Sequence, residues 1–114
     1  MDSKNFKESE FSCKCCGHYV PNVALMIILE DVREQFGKPV SINSGTRCKK
    51  HNKSVGGADN SLHVTGHAAD IVVKGIMPSA VSEYLSRTSY SHLIGLGSYN
   101  SFTHVDTRGY KAGW

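Results

Sequence analysis

The 114-residue chain lacks any long apolar run. Its longest hydrophobic stretch, Val23 to Leu29, falls far short of the roughly 20 residues that a membrane-crossing helix needs. Met1 to Glu10 is polar and charged, without the apolar centre of a secretory signal, so a chain made in the cytoplasm with no membrane association is expected. Blocks of one charge are also absent. Thirteen Lys and Arg against ten Asp and Glu leave +3 with the histidines neutral. No basic run is interleaved with aromatics, which removes the support for a nucleic-acid partner and leaves at most a mild attraction to a polyanionic polymer. Repeats, linkers and low-complexity segments are missing. Proline is scarce, at 3 against 11 glycines, so the turns fall to glycine.

What is present is ordinary for a globular chain: 39% hydrophobic and 20% charged residues. The length allows one domain, 1–114, burying roughly two-thirds of the unfolded surface. Residues 1–21 read as irregular. Asn22 to Phe36 reads as an amphipathic helix, with Val23, Met26, Leu29 and Val32 at three-residue steps, Leu25 and Phe36 close to the same face, Asn22 as N-cap and Gly37 as stop. Pro39 to Asn43 alternates like a strand. Ser44 to Gly66 reads as a long glycine-rich loop, a length that in a small domain marks function. Ala69 to Lys74 reads as a strand, Pro78 to Arg87 as a second helix, and Ile94–Tyr99 with Phe102–Thr107 as a hairpin around Asn100-Ser101. The order predicts an α+β domain, an antiparallel or mixed sheet with two helices on one side.

Two segments carry ligand chemistry. In Ser61-Leu62-His63-Val64-Thr65-Gly66-His67-Ala68-Ala69-Asp70, small residues let the backbone turn tightly between His63 and Asp70. In Phe102-Thr103-His104-Val105-Asp106-Thr107, strand alternation puts His104 and Asp106 on one face. Two histidines and a carboxylate with one position left for water is a catalytic zinc set. By spacing alone, a loop histidine, a strand-start cap and an exposed strand histidine explain the same residues equally well.

Those segments, with Ser44-Gly45-Thr46-Arg47-Cys48, His51-Asn52, Val55-Gly56-Gly57-Ala58 and Gly95-Leu96-Gly97-Ser98-Tyr99 in the same order, closely resemble the M15 peptidase family in its D-alanyl-D-alanine carboxypeptidase-like branch. The resemblance runs from about Phe11 to Gly109. It implies the small α+β fold shared with the hedgehog signalling domain, and a Zn2+ cofactor held by His63, Asp70 and His104. It also implies hydrolysis of peptidoglycan stem peptides by metal-activated water, at a D-Ala-D-Ala or an L-Ala–D-Glu bond. A monomer acting at the bacterial cell wall, as a phage endolysin does, fits a chain with no wall-binding domain. The other reading is a non-catalytic, metal-stabilised wall-binding or phage structural module. Ser101 favours it, because many relatives carry an acid three positions before the last histidine.

With Ser101 unable to act as base, elimination turns to the acids. Glu30, Asp31, Glu34 and Glu83 lie on predicted helices and are expected to be solvated, and Asp2, Glu8 and Glu10 lie in the N-terminal segment. Asp106, which shares a strand face with His104, is the candidate, either as general base or as the partner that orients a ligand histidine. Arg47 matches the family arginine expected to bind a substrate carboxylate, with Ser61 beside it; Arg108, on the face of His104, suits the same task. His67 stands where relatives carry Arg, Gln or Lys and is read as solvated or as a substrate contact. Among the four cysteines, Cys13 and Cys16 form a C-x-x-C pair, and Cys48 and His51 a C-x-x-H pair. They suit a second, structural zinc, with buried or free thiols as the alternative.

Overall fold

The computed structural model describes residues 2–58 and 60–114. The first helix, α1, spans Val23–Phe36. Asn22 is extended, and its side chain accepts the Leu25 N–H at 2.9 Å, satisfying one orphan donor of the first turn. Gly37 ends the helix at φ 62°, a left-handed conformation that glycine adopts without a Cβ penalty. The buried stripe is Leu25, Met26, Ile28, Leu29 and Val32. Val23, placed on that stripe by its spacing, is instead 61% exposed, because the inward face begins two residues later, at Leu25.

Strand β1 is Val40–Ser44 and β2 is Ala68–Val73. Between them the expected loop contains a helix, α2, Lys49–Ser54. Its single buried residue is Asn52, so it shows no apolar period to read. Helix α3 is Pro78–Ser86, with proline in the first turn, where its missing N–H costs nothing. Strands β3, Gly95–Ser98, and β4, Thr103–Asp106, form the expected hairpin, and a two-residue strand β5, Ala112–Gly113, completes the sheet. The order is β1-β2-β4-β3-β5, antiparallel except for the parallel β3–β5 pair. The domain is α+β as expected, with three helices in place of two. Among the described residues no helix is long and apolar enough to cross a membrane.

Alternation divides the two central strands into a dry face and a polar face. Ala69, Ile71 and Val73 of β2 and Val105 of β4 join the core with the α1 stripe and with Val81 and Leu85 of α3. Asp70, His104 and Asp106 therefore occupy the opposite face. The N-terminal segment is irregular but anchored: Phe6 and Phe11 are core residues, and Phe11 O accepts the Thr46 N–H at 2.8 Å. Two helix acids expected to be solvated are engaged in holding the fold. Glu30 accepts Asn5 N at 2.7 Å, and Asp31 accepts the hydroxyls of Tyr84 and Tyr90 at 2.7 and 2.5 Å.

Candidate metal centre

Register brings the ligands together. Asp70 on β2 pairs directly with His104 on β4, and the next position on the same face pairs Ala68 with Asp106. His63 arrives from the turn before β2. That turn closes through Gly66 at φ 78°, where the Val20 backbone and side chain crowd the place a Cβ would take. One donor atom from each of His63, Asp70 and His104 lies within 4.8 Å of the others.

The hydrogen bonds define which atoms face the centre. His63 Nδ1 lies 2.8 Å from Gly45 O, a pure acceptor, so that nitrogen carries the proton and Nε2 is left as a lone pair. Nε2 in turn lies 3.2 Å from Asp70 Oδ1. His104 Nε2 lies 2.8 Å from Asp106 Oδ2, and its Nδ1 lies 3.0 Å from the same Asp70 Oδ1. With Asp106 ionised, His104 donates through Nε2 and offers Nδ1 inward. Two lone pairs and a carboxylate oxygen then converge, an arrangement that needs a cation among them. The field is that of a cation site even toward a proton: burial pushes the His104 imidazole down, but Asp106 and Asp70 outweigh it and hold it above its ordinary value. Burial pushes Asp70 up, and its contacts with His104 and His63 hold it well below the carboxylate range. Two imidazole nitrogens, each fixed by a partner on its far nitrogen, plus one carboxylate fit a catalytic zinc.

Asp106 is fully buried and heavily engaged. Arg108 Nε and a terminal nitrogen meet its two oxygens at 2.8 and 2.7 Å, and Gly95 N donates to Oδ1 at 3.2 Å. Burial pushes this carboxyl up, while Arg108 and His104 hold it far below its ordinary value. Arg47, expected at the substrate, lies against protein partners. It donates to Ser44 Oγ at 2.9 Å, Asn52 Oδ1 at 3.1 Å and Asp70 Oδ2 at 3.2 Å. It thereby holds one Asp70 oxygen away from the centre and leaves the other facing the histidines. Ser61 Oγ accepts the His63 N–H at 3.2 Å.

An open cleft of about 620 Å³ fronts the centre, and His104, Ser61, His67, Arg108, Tyr110 and Trp114 line part of it. Trp114 lies 5.1 Å from the His104 ring and 5.0 Å from the Arg108 guanidinium, centroid distances that permit ring and cation–π contact. His67 is exposed on the cleft wall, its Nδ1 2.8 Å from Thr65 Oγ1. Cys13, Cys16 and Cys48 form a separate donor group. His51, paired with them from sequence, is not in that group; its backbone N–H donates to Cys48 Sγ at 3.3 Å.

Sequence reasoning missed the two glycines that make room for this machinery. A Cβ on Gly95 would sit 2.6 Å from both Asp106 oxygens and from Arg108 Nε; one on Gly97 would sit 2.6 Å from Trp114 Nε1. Two glycines spaced by two on a strand are the available signal, since they leave one sheet face bare for close approach.

The chain matches the model of the peptidase M15 family over residues 4–106. It is 35% identical over 80 residues to the zinc D-Ala-D-Ala carboxypeptidase of Streptomyces albus G. The match covers 68% of this chain and 31% of that protein, so the chain spans about a third of the length of the relative.

Proposed function

The chain belongs to the peptidase M15 family, and we propose that it is a zinc-dependent peptidase that removes a terminal D-alanine from peptidoglycan stem peptides. The observation that carries this reading is the convergence of His63 Nε2, His104 Nδ1 and Asp70 Oδ1, each oriented from behind by Gly45 O, Asp106 or Arg47. The activity for which the Streptomyces relative is named supports the bond chosen over the L-Ala–D-Glu alternative. Zinc, when bound, supplies a Lewis acid that polarises a carbonyl and brings the pKa of water near 7.

The remaining work falls to the chain's own groups. Asp106 is a positioning residue in this scheme: its oxygens are occupied, and the arginine beside it makes it a poor proton acceptor. It fixes His104 in the tautomer that presents Nδ1. Arg108, whose guanidinium lines the cleft, attracts the substrate's terminal carboxylate in the role first expected of Arg47. The Trp114 and Tyr110 rings lie 5.0 and 5.7 Å from that guanidinium. His67 carries an imidazole Nε2 on the cleft wall and is assigned the proton transfer to the leaving amine. His67→Gln then lowers kcat while zinc content stays constant.

The decisive experiment digests purified peptidoglycan with zinc-loaded protein and weighs the muropeptides by mass spectrometry. Products shortened by one alanine, absent with His63→Ala, are expected. Unchanged masses with fully metallated protein would overturn the assignment and leave a wall-binding module.

A further inference from the structure

A second cluster, separate from the metal centre, includes Cys48, the residue after Arg47. The N-terminal segment and the start of α2 meet there through sulfur. Cys13 is 3% exposed, and donor atoms of Cys13, Cys16 and Cys48 lie within 4.8 Å of one another. Cys15, next to Cys16 in the chain, is exposed beside them, and its thiol interacts electrostatically with Cys48 and Cys13. All four thiols are free.

We propose that the converging Cys13, Cys16 and Cys48 bind a structural zinc ion as thiolates, and that the neighbouring Cys15 closes on it as the fourth. Tetrahedral zinc has Zn–S bonds of about 2.3 Å, which places its sulfurs close enough together to satisfy the spacing seen here. The backbone is already shaped for it. The loop after Cys13 closes on itself, with Gly17 N–H donating to Cys13 O and Cys13 N–H donating to His18 O, both at 2.7 Å, and Gly17 turns at φ 77°. Backbone N–H groups also point at the sulfurs: Cys48 N lies 3.3 Å from Cys13 Sγ, and His51 N lies 3.3 Å from Cys48 Sγ. Such donors stabilise thiolate over thiol. A tetrathiolate zinc carries two negative charges, and Lys14, Lys49 and Lys50 are interleaved with the ligands in sequence to offset them. Binding releases the thiol protons and changes no oxidation state.

The fourth ligand differs from the His51 expected by spacing. His51 sits on α2 and contributes its backbone N–H to Cys48 Sγ, whereas Cys15 is adjacent in the chain to Cys16 and reaches the cluster through a short turn. The centre would staple residues 13–16 to Cys48, the neighbour of Arg47 in the chain, adding to the ties that Phe6, Phe11 and Asn5 already make.

Metal content of protein purified under reducing conditions tests this. Two zinc ions per chain are expected. The double variant His63→Ala/His104→Ala should retain one, and Cys16→Ser and Cys48→Ser should each lose one. Cobalt(II) in the histidine double variant should show the intense near-ultraviolet charge-transfer band of thiolate ligation. If Cys48→Ser does not fold, the wild type decides alone: an organomercurial should release one zinc per chain and a thiol reagent should find its cysteines protected. A single zinc in the wild type, no charge-transfer band, or a disulfide among these cysteines in non-reducing mass spectrometry would overturn the proposal. The histidine site is untouched by any of those results.

Discussion

Replacing Asp106 by asparagine changes no volume but forces a choice of orientation. The carboxylate accepts three N–H groups on Oδ1, from Gly95, the Arg108 backbone and Arg108 Nε, and two on Oδ2, from His104 Nε2 and Arg108. Asparagine has one acceptor oxygen, and the side with three donors takes it. The amide NH2 then faces His104 Nε2, which must become the acceptor, so the ring proton moves to Nδ1. That proton points at Asp70 Oδ1, 3.0 Å away, and closes the metal position with an ordinary hydrogen bond. Loss of such an outer partner lowers metal affinity roughly 10–100-fold, or about 1.4–2.8 kcal/mol at 1.4 kcal/mol per tenfold. Chelator competition should measure the affinity, and nitrogen-detected NMR of the imidazole should report the Nδ1–H tautomer of His104. Refutation is equally concrete. A variant that binds zinc with wild-type affinity, keeps Nε2–H and still loses activity would make Asp106 the general base and discard the positioning argument.

Gly95→Ala should act on the same group from the neighbouring strand. Its Cβ meets both Asp106 oxygens and Arg108 Nε at 2.6 Å, so the ion pair must shift; a cost of roughly 1–3 kcal/mol in thermal or denaturant unfolding is expected, with weaker zinc binding in the chelator assay. Alkaline pH should weaken the fold through tyrosine. Burial and Asp31 push Tyr84 up to about 12 and Tyr90 higher still, against an unfolded value near 10. Their contribution is complete below about pH 10 and is lost as pH rises through the folded values. Unfolding midpoints at pH 9 and pH 12 should therefore fall less for Tyr84→Phe/Tyr90→Phe than for the wild type.

The sequence shows most clearly the features that rest on short-range chemistry. Asn22 and Gly37 bracket α1 because a cap and a left-handed stop are local devices, and the period-two pattern around His104 announces a strand with a polar face. Helix α2 is illegible because it rests on Cys48 capping and on Asn52, which bonds Ala58 O and Arg47, and not on an apolar stripe. The role of Arg47 is hidden for a related reason. Its residue type suits a substrate carboxylate and an internal one equally, and only the approach of β2 to the β1–α2 connection decides that its partner is Asp70. Trp114 gives no signal at all, since its place beside His104 depends on β5 running parallel to β3 and on the bare backbone at Gly97.

The direct pairing of Asp70 with His104 couples assembly of the centre to folding of the sheet. Sliding β4 by one residue would turn His104 and Asp106 into the hydrophobic interior and expel Thr103 and Val105 to water. A chain in that arrangement would bury unpaired charge and fail to fold, so it could not persist as a folded but metal-free impostor. Every molecule that completes its core has thereby already aligned two of its three ligands, and damage to the sheet's pairing should show up as lost protein before it shows up as lost catalysis.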